Sequence, residues 1–257
     1  MNLHQCYLTQ NDCYKRGKTI TPKGVMVHST GANNPRLSRY VQPDDGKLGD
    51  NKYNNDWNRS GVQKCVHAFI GKLADGSIAT YQTLPWNHRG WHSGSGKKGS
   101  ANNTHISFEI CEDGLKDKKY FDAVYKEAVE LTAMLCKQFK LDPLADGVVI
   151  CHSEGYSRGI ASGHSDVMHW FPKHGKSMDD FRADVAKAMG RKLPPLPYRV
   201  AVTANSLNIR RGPGVSYSVN GIIQNKGIYR IVETKNGWGK LKSGAGWINL
   251  SYTRKIL

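Results

Sequence analysis

The chain has 257 residues, 39% of them hydrophobic, and a net charge of +16, which suits one large or two small packed domains. No apolar run approaches the roughly 20 residues of a membrane-spanning helix, and the opening MNLHQCYLTQND lacks the apolar core of a secretory signal. The expected product is therefore soluble, without membrane insertion, made in the cytoplasm and able to act outside only after release.

The first strand signal in chain order is GVMVH (24–28), where a histidine follows a β-branched run. KCVHAFIG (64–71) and SIATYQTLP (77–85) follow, joined by the turn LADG, and then HISFEIC (105–111). YFDAVYKEAVELTAMLCKQFK (120–140) places Val124, Ala128, Leu131, Leu135 and Phe139 on one helical face. GVVICH (147–152) is a further strand ending in histidine. SMDDFRADVAKAMG (177–190) is a helix with Ser177 as N-cap, acids in its first turn and Gly190 as its stop. Strands mixed with helices predict an α/β fold, a central mixed sheet flanked by helices, over residues 1–190.

GRKLPPLPY interrupts this pattern, and its proline-rich, basic stretch predicts a semi-rigid linker at 191–197. Residues 198–257 then show short β-rich runs cut by Gly, Asn and Pro with no helical face, which predicts a small all-β barrel. From Arg191 onward twelve basic residues face the single acid Glu233. That concentration of positive charge attracts polyanions such as nucleic acid, anionic lipid or an acidic cell-wall polymer. Arg210 and Arg211, beside the turn RRGPG, read equally as a solvated rim or as a ligand contact. The six cysteines form no CxxC pair and suit free thiols, with Cys65, Cys111 and Cys151 inside apolar runs.

His28 and His152 each sit at the mouth of a strand, and neighbouring central strands would bring the two imidazoles together. Taken singly, each is also a histidine satisfied by hydrogen bonds at a strand end. The loop after His152, SEGYSRGIASGHSDVMHWFP, can fold back and carries His164, Asp166 and His169. Two imidazoles and a carboxylate with one open position form the donor set of catalytic zinc, and the imidazoles disfavour magnesium or calcium.

The succession VHST, VHAFIGKLADGSIATYQTLPWNHRGWHSG, HISFEIC and VICHSEGY…GHSD resembles the type 2 N-acetylmuramoyl-L-alanine amidases, zinc hydrolases that include phage lysins and share the fold of peptidoglycan recognition proteins. The resemblance spans about residues 20–189. It implies His28 and His152 as zinc ligands. In the family the third ligand, Cys or Asp, lies two residues after a basic catalytic group. The triplet HSD would then make Asp166 the ligand and His164 the oxyanion-stabilising group, with His164 as the alternative ligand because this loop is longer than the family's and Val-Met replaces the usual Pro-Gly. It further implies Glu109 as the catalytic acid–base and His92, in GWHSG, as a lining of the substrate groove. LNIRRGPGVSYSVNGII…GWGKL…GWINL is similar to bacterial SH3 domains, which commonly bind cell wall. Together the two resemblances imply a phage or prophage endolysin that cuts peptidoglycan and holds it, or an anionic wall polymer, through its C-terminal domain.

Rival readings are a catalytically inactive peptidoglycan-binding protein, a host autolysin of the same chemistry, and a nucleic-acid binder using the aromatics of the basic C-terminal domain. The first would lack a ligand type that is present here, and the last leaves the histidines unexplained, so no nucleic-acid partner is expected. GSGKKG (94–99) fits a dinucleotide fingerprint, yet no strand precedes it and no helix follows; it reads as a mobile loop at the groove edge. His67 is expected to hydrogen-bond inside the fold, and His105, His169 and His174 to be structural.

Overall fold

The computed structural model of the chain describes residues 1–191 and 197–256, so the linker expected at 191–197 lies almost wholly outside the described residues. Chain contacts separate two compact units, Met1–Gly190 and Arg191–Leu257. Among the described residues no helix is long and apolar enough to cross a membrane.

The first unit runs β1 (Leu3–Gln5), α1 (Asp12–Arg16), β2 (Gly24–Asn33), β3 (Ala68–Lys72), β4 (Ile78–Gln82), β5 (His105–Glu112), α2 (Lys118–Gln138), β6 (Val149–Cys151), α3 (His152–Ser157) and α4 (Met178–Ala188). Its six strands form one mixed sheet in the order β1-β4-β3-β5-β2-β6. β3 and β4 pair antiparallel, while β3, β5, β2 and β6 run parallel, with β5 and β2 inside the sheet and β6 at its edge.

Strand alternation divides the side chains between two faces. Val25 and Val27 of β2, Ile106, Phe108 and Ile110 of β5, and Ala68 and Ile70 of β3 pack against Val124, Ala128, Leu131 and Leu135 of α2 and Phe181 and Val185 of α4. On the other face Phe69 stacks on Tyr40 and meets the edge of Trp57, each at 4.9 Å between ring centroids. This is the face to which the intervening residues of β2 and β5, among them His28 and Glu109, belong.

The helices begin where their caps dictate. The Asp117 carboxylate accepts from the N–H groups of Lys119 and Tyr120, so α2 starts two residues before the apolar periodicity alone suggests. Ser177 and Asp180 form a reciprocal capping box on α4. Three short elements, β1, α1 and α3, carry too few residues for a periodic signal. His152, expected to end a strand, instead opens α3: Glu154 accepts from the Cys151 N–H and turns the chain into a helix at that residue.

His67 does bond internally. Its Nε2–H donates to the His88 carbonyl at 2.7 Å and its Nδ1 accepts from the Ser107 N–H at 3.0 Å. His105 bonds Gly147 O and His174 stacks on Phe121. The GSGKKG segment is pinned rather than mobile. It closes a turn from the Gly96 N–H to Gly99 O, and the Lys98 N–H donates to Gly159 O at 2.8 Å. A Cβ at Gly96 would lie 2.4 Å from Gly159 O, so glycine is required there for close backbone approach.

The second unit contains β7 (Tyr198–Val202), β8 (Leu207–Arg210), β9 (Val219–Ile223), β10 (Ile228–Lys235), β11 (Trp238–Leu241), β12 (Trp247–Asn249) and β13 (Thr253–Ile256). These form an antiparallel sheet in the order β13-β7-β10-β11-β12-β8-β9. Val200, Val202, Leu207, Ile231, Leu241 and Ile248 fill its core. Arg210 donates to the Tyr217 carbonyl at 2.7 Å.

Candidate metal centre

β2 and β6 are adjacent and parallel, with Val27 opposite Cys151. That register brings His28, next on β2, beside His152 at the start of α3. The two Nδ1 atoms lie 3.1 Å apart. The loop after α3 returns Asp166 to the same point, with one carboxylate oxygen 2.9 Å from His28 Nδ1 and the other 3.6 Å from His152 Nδ1. One ligand atom from each of the three residues falls within 4.8 Å of the others. Val167, directly after Asp166, is fully buried in the α2-side core and fixes the loop there.

The donor set fits a divalent cation such as zinc. His28 Nε2 is engaged with His92 Nδ1 at 3.0 Å, and His152 Nε2 faces the Ser162 hydroxyl at 3.4 Å. Protons on both Nε2 atoms satisfy those contacts and leave both Nδ1 lone pairs and the Asp166 carboxylate facing one another. A shared cation resolves that repulsion, and the outer contacts fix ring orientation and tautomer. Burial, reinforced by the neighbouring His28, pulls His152 down to about 4, so it is neutral and ready to ligate near neutral pH. Burial opposes ionisation of Asp166, but in acid, with the facing imidazoles in their charged, donating form, their hydrogen bond and charge outweigh it and hold its pKa below the ordinary value.

Glu109 is the Cα partner of His28 across β2 and β5. Its Oε2 is buried without a hydrogen-bond partner. Burial first, then the carboxylates of Asp166 and Glu112, push its pKa well above the ordinary carboxylate value, with Lys64 opposing. A cavity of about 200 Å³ opens beside it, lined by Thr30, Arg39, Tyr40, Trp57, Lys64 and Glu109. Thr30 was missed in the sequence, although its spacing, two positions beyond His28 on the same strand, could have marked it. Arg39 and Trp57 come from the long connection between β2 and β3 with no pattern to mark them, and Lys64, expected to open a strand, lies in that same connection because β3 begins only at Ala68.

His164 is exposed, its ring 4.6 Å from that of His152 and outside the three-residue cluster. His92, expected along the groove, presents its Nδ1 to His28 Nε2, a contact that fixes the orientation of the His28 ring. Its Nε2 is buried and unpartnered, and burial pulls its pKa well down. His169, read as structural, bonds Glu112.

The fold and this cluster together define an α/β protein with a histidine–histidine–aspartate centre at the end of a mixed sheet. The chain matches the N-acetylmuramoyl-L-alanine amidase family (Amidase_2) over residues 18–175, more than half its length, and belongs to that family. No curated protein matched in the search. Among solved structures, the Staphylococcus aureus hydrolase AmiA in complex with its ligand is similar with a TM-score of 0.53 at 16% identity, covering 74% of this chain and 83% of that one. A mutant of PlyL scores 0.50 at 20% identity, covering 72% and 98%. The PlyG catalytic domain in solution scores 0.50 at 20% identity, covering 76% and 99%. These likenesses show a shared fold, and family membership supports peptidoglycan amidase activity.

Proposed function

We propose that the protein is a zinc-dependent amidase that hydrolyses the bond between N-acetylmuramic acid and L-alanine in bacterial peptidoglycan, and that it works as a phage or prophage endolysin at the cell wall. The observation that carries this reading is the convergence of His28, His152 and Asp166 beside the buried carboxyl of Glu109. Those three residues would hold the ion, which supplies Lewis acidity to the scissile carbonyl and makes water more acidic.

The chain's own groups do the rest. Glu109 takes a proton from the attacking water and passes it to the leaving amine of L-alanine; burial raises its carboxyl pKa well above the ordinary value, which favours its holding that proton until the amine departs. His164, exposed beside His152, donates to the oxygen on which charge develops. His92 and Ser162 hold the rings of His28 and His152. The cavity beside Glu109 takes the stem peptide, whose departing end must lie next to the proton donor.

The second unit is proposed as an SH3-type wall-binding domain. The excess of basic residues from Arg191 onward would draw it to an anionic wall polymer, raising the local concentration of the amidase at its substrate. Mass spectrometry of digested wall tests the reaction. Stem peptides with a free L-alanine amine and glycan strands bearing free lactyl carboxylates on their muramic acid residues are expected. Cleavage confined to peptide or glycosidic bonds would refute the proposal.

A further inference from the structure

Glu112 ends β5, three residues beyond Glu109, and its side chain is buried. Its Oε1 accepts two hydrogen bonds. One comes from the Gly31 N–H at 3.1 Å, on β2 three residues after His28. The other comes from His169 Nε2 at 2.9 Å, on the loop three residues after Asp166. The Glu112 N–H in turn donates to Thr30 Oγ1 at 3.2 Å. One buried carboxylate therefore ties the strand that carries the first member of the cluster to the loop that carries the third. These two residues are 138 positions apart in sequence, and their own contact is the 2.9 Å approach of His28 to Asp166.

We infer that Glu112 and His169 form a latch that positions Asp166 against His28, so that the latch sets how tightly the centre holds its metal. The inference rests on the proposed metal site. The physical case is one of distance along the chain. Asp166 reaches the cluster from a loop rich in glycine and serine, where an unrestrained carboxylate would sample many positions. Val167 anchors that loop to the core on the α2 side of the sheet, and the His169–Glu112 bond stops it pivoting about that anchor. The bond is nearly shielded from water at the glutamate, with a side-chain exposure of 5% against 28% at His169, so it is stronger than a surface pair. Neither residue touches the reacting atoms, and both are positioning residues.

The experiment is a zinc titration of the full chain against a chromophoric chelator, with the cobalt(II) visible spectrum as a second readout. His169→Ala is expected to weaken zinc binding 10- to 100-fold and to weaken the cobalt bands. His169→Gln, which keeps an N–H able to reach Glu112, is expected to recover most of that loss. Far-UV circular dichroism checks that both variants are folded. Native zinc affinity and unchanged cobalt bands in His169→Ala would overturn the latch, even if that variant were less stable. Asp166→Asn is the control for the underlying reading. If wild type binds zinc and Asp166→Asn binds it equally well, the assignment of Asp166 as a ligand fails, and the latch with it.

Discussion

The buried imidazole of His67 makes the amidase unit acid-sensitive by an amount that can be worked out. Burial is the main cost of charging this ring, whose Nε2 and Nδ1 already bond the His88 carbonyl and the Ser107 N–H. It pulls the pKa down to about 4, against 6.5 for the free side chain, with the neighbouring His88 ring adding to the effect and the hydrogen bonds to His88 and Ser107 opposing it. Between those values the unfolded chain binds a proton that the folded chain refuses. Stability is therefore complete above about pH 6.5, falls with pH, and has lost the whole contribution below about pH 4. From pH 7 to pH 5 the loss from this one group is about 2 kcal/mol, using about 1.4 kcal/mol per pKa unit. The assay is urea unfolding in chelator-containing buffer, followed by far-UV circular dichroism at 222 nm. α1, α2, α3 and α4 all lie within residues 1–190, so this signal reports that unit. His67→Gln is expected to be less stable at pH 7, because its amide cannot match both bonds, but to lose about 2 kcal/mol less than wild type on going to pH 5. Equal losses in the two proteins would refute the reasoning, since titration of every other group cancels in the difference.

Other substitutions separate chemistry from folding. Glu109→Gln should lower kcat by about two to four orders of magnitude while zinc content, read by atomic absorption, stays at the wild-type level. Trp57→Ala, on the cavity wall, should raise KM for a muramyl peptide more than it lowers kcat. Phe108→Ala removes a fully buried ring from the α2-side core and should cost about 3–5 kcal/mol in urea unfolding. Asp117→Ala deletes two N-cap bonds and should cost about 1 kcal/mol by the same measurement.

Legibility in the sequence followed the physics of each element. The strand bearing His28 was readable as a β-branched apolar run and the one bearing Glu109 by its alternation, and α2 because 21 residues repeat an apolar stripe. The ends were less readable. Asp117 and Glu154 set helix starts through side-chain bonds, which periodicity does not encode. The convergence of His28 and His152 followed from the expectation of neighbouring parallel strands. The placement of Asp166 depended on a loop whose path is fixed by Val167 in the core and by Glu112. Glu112 ends the strand that also carries Glu109, and its partners, Gly31 and His169, are 81 and 57 residues away. Nothing local marks such a contact. The cavity residues Arg39 and Trp57 were hidden for the same reason, and Lys64 was expected in a strand that in fact begins at Ala68.

The central claim concerns one point in space, and anomalous diffraction at the zinc edge from zinc-soaked crystals addresses it directly. The account predicts a single strong peak about 2.0–2.2 Å from His28 Nδ1, His152 Nδ1 and an Asp166 carboxylate oxygen. A map with no peak at that position, or with zinc held by other side chains, would contradict it.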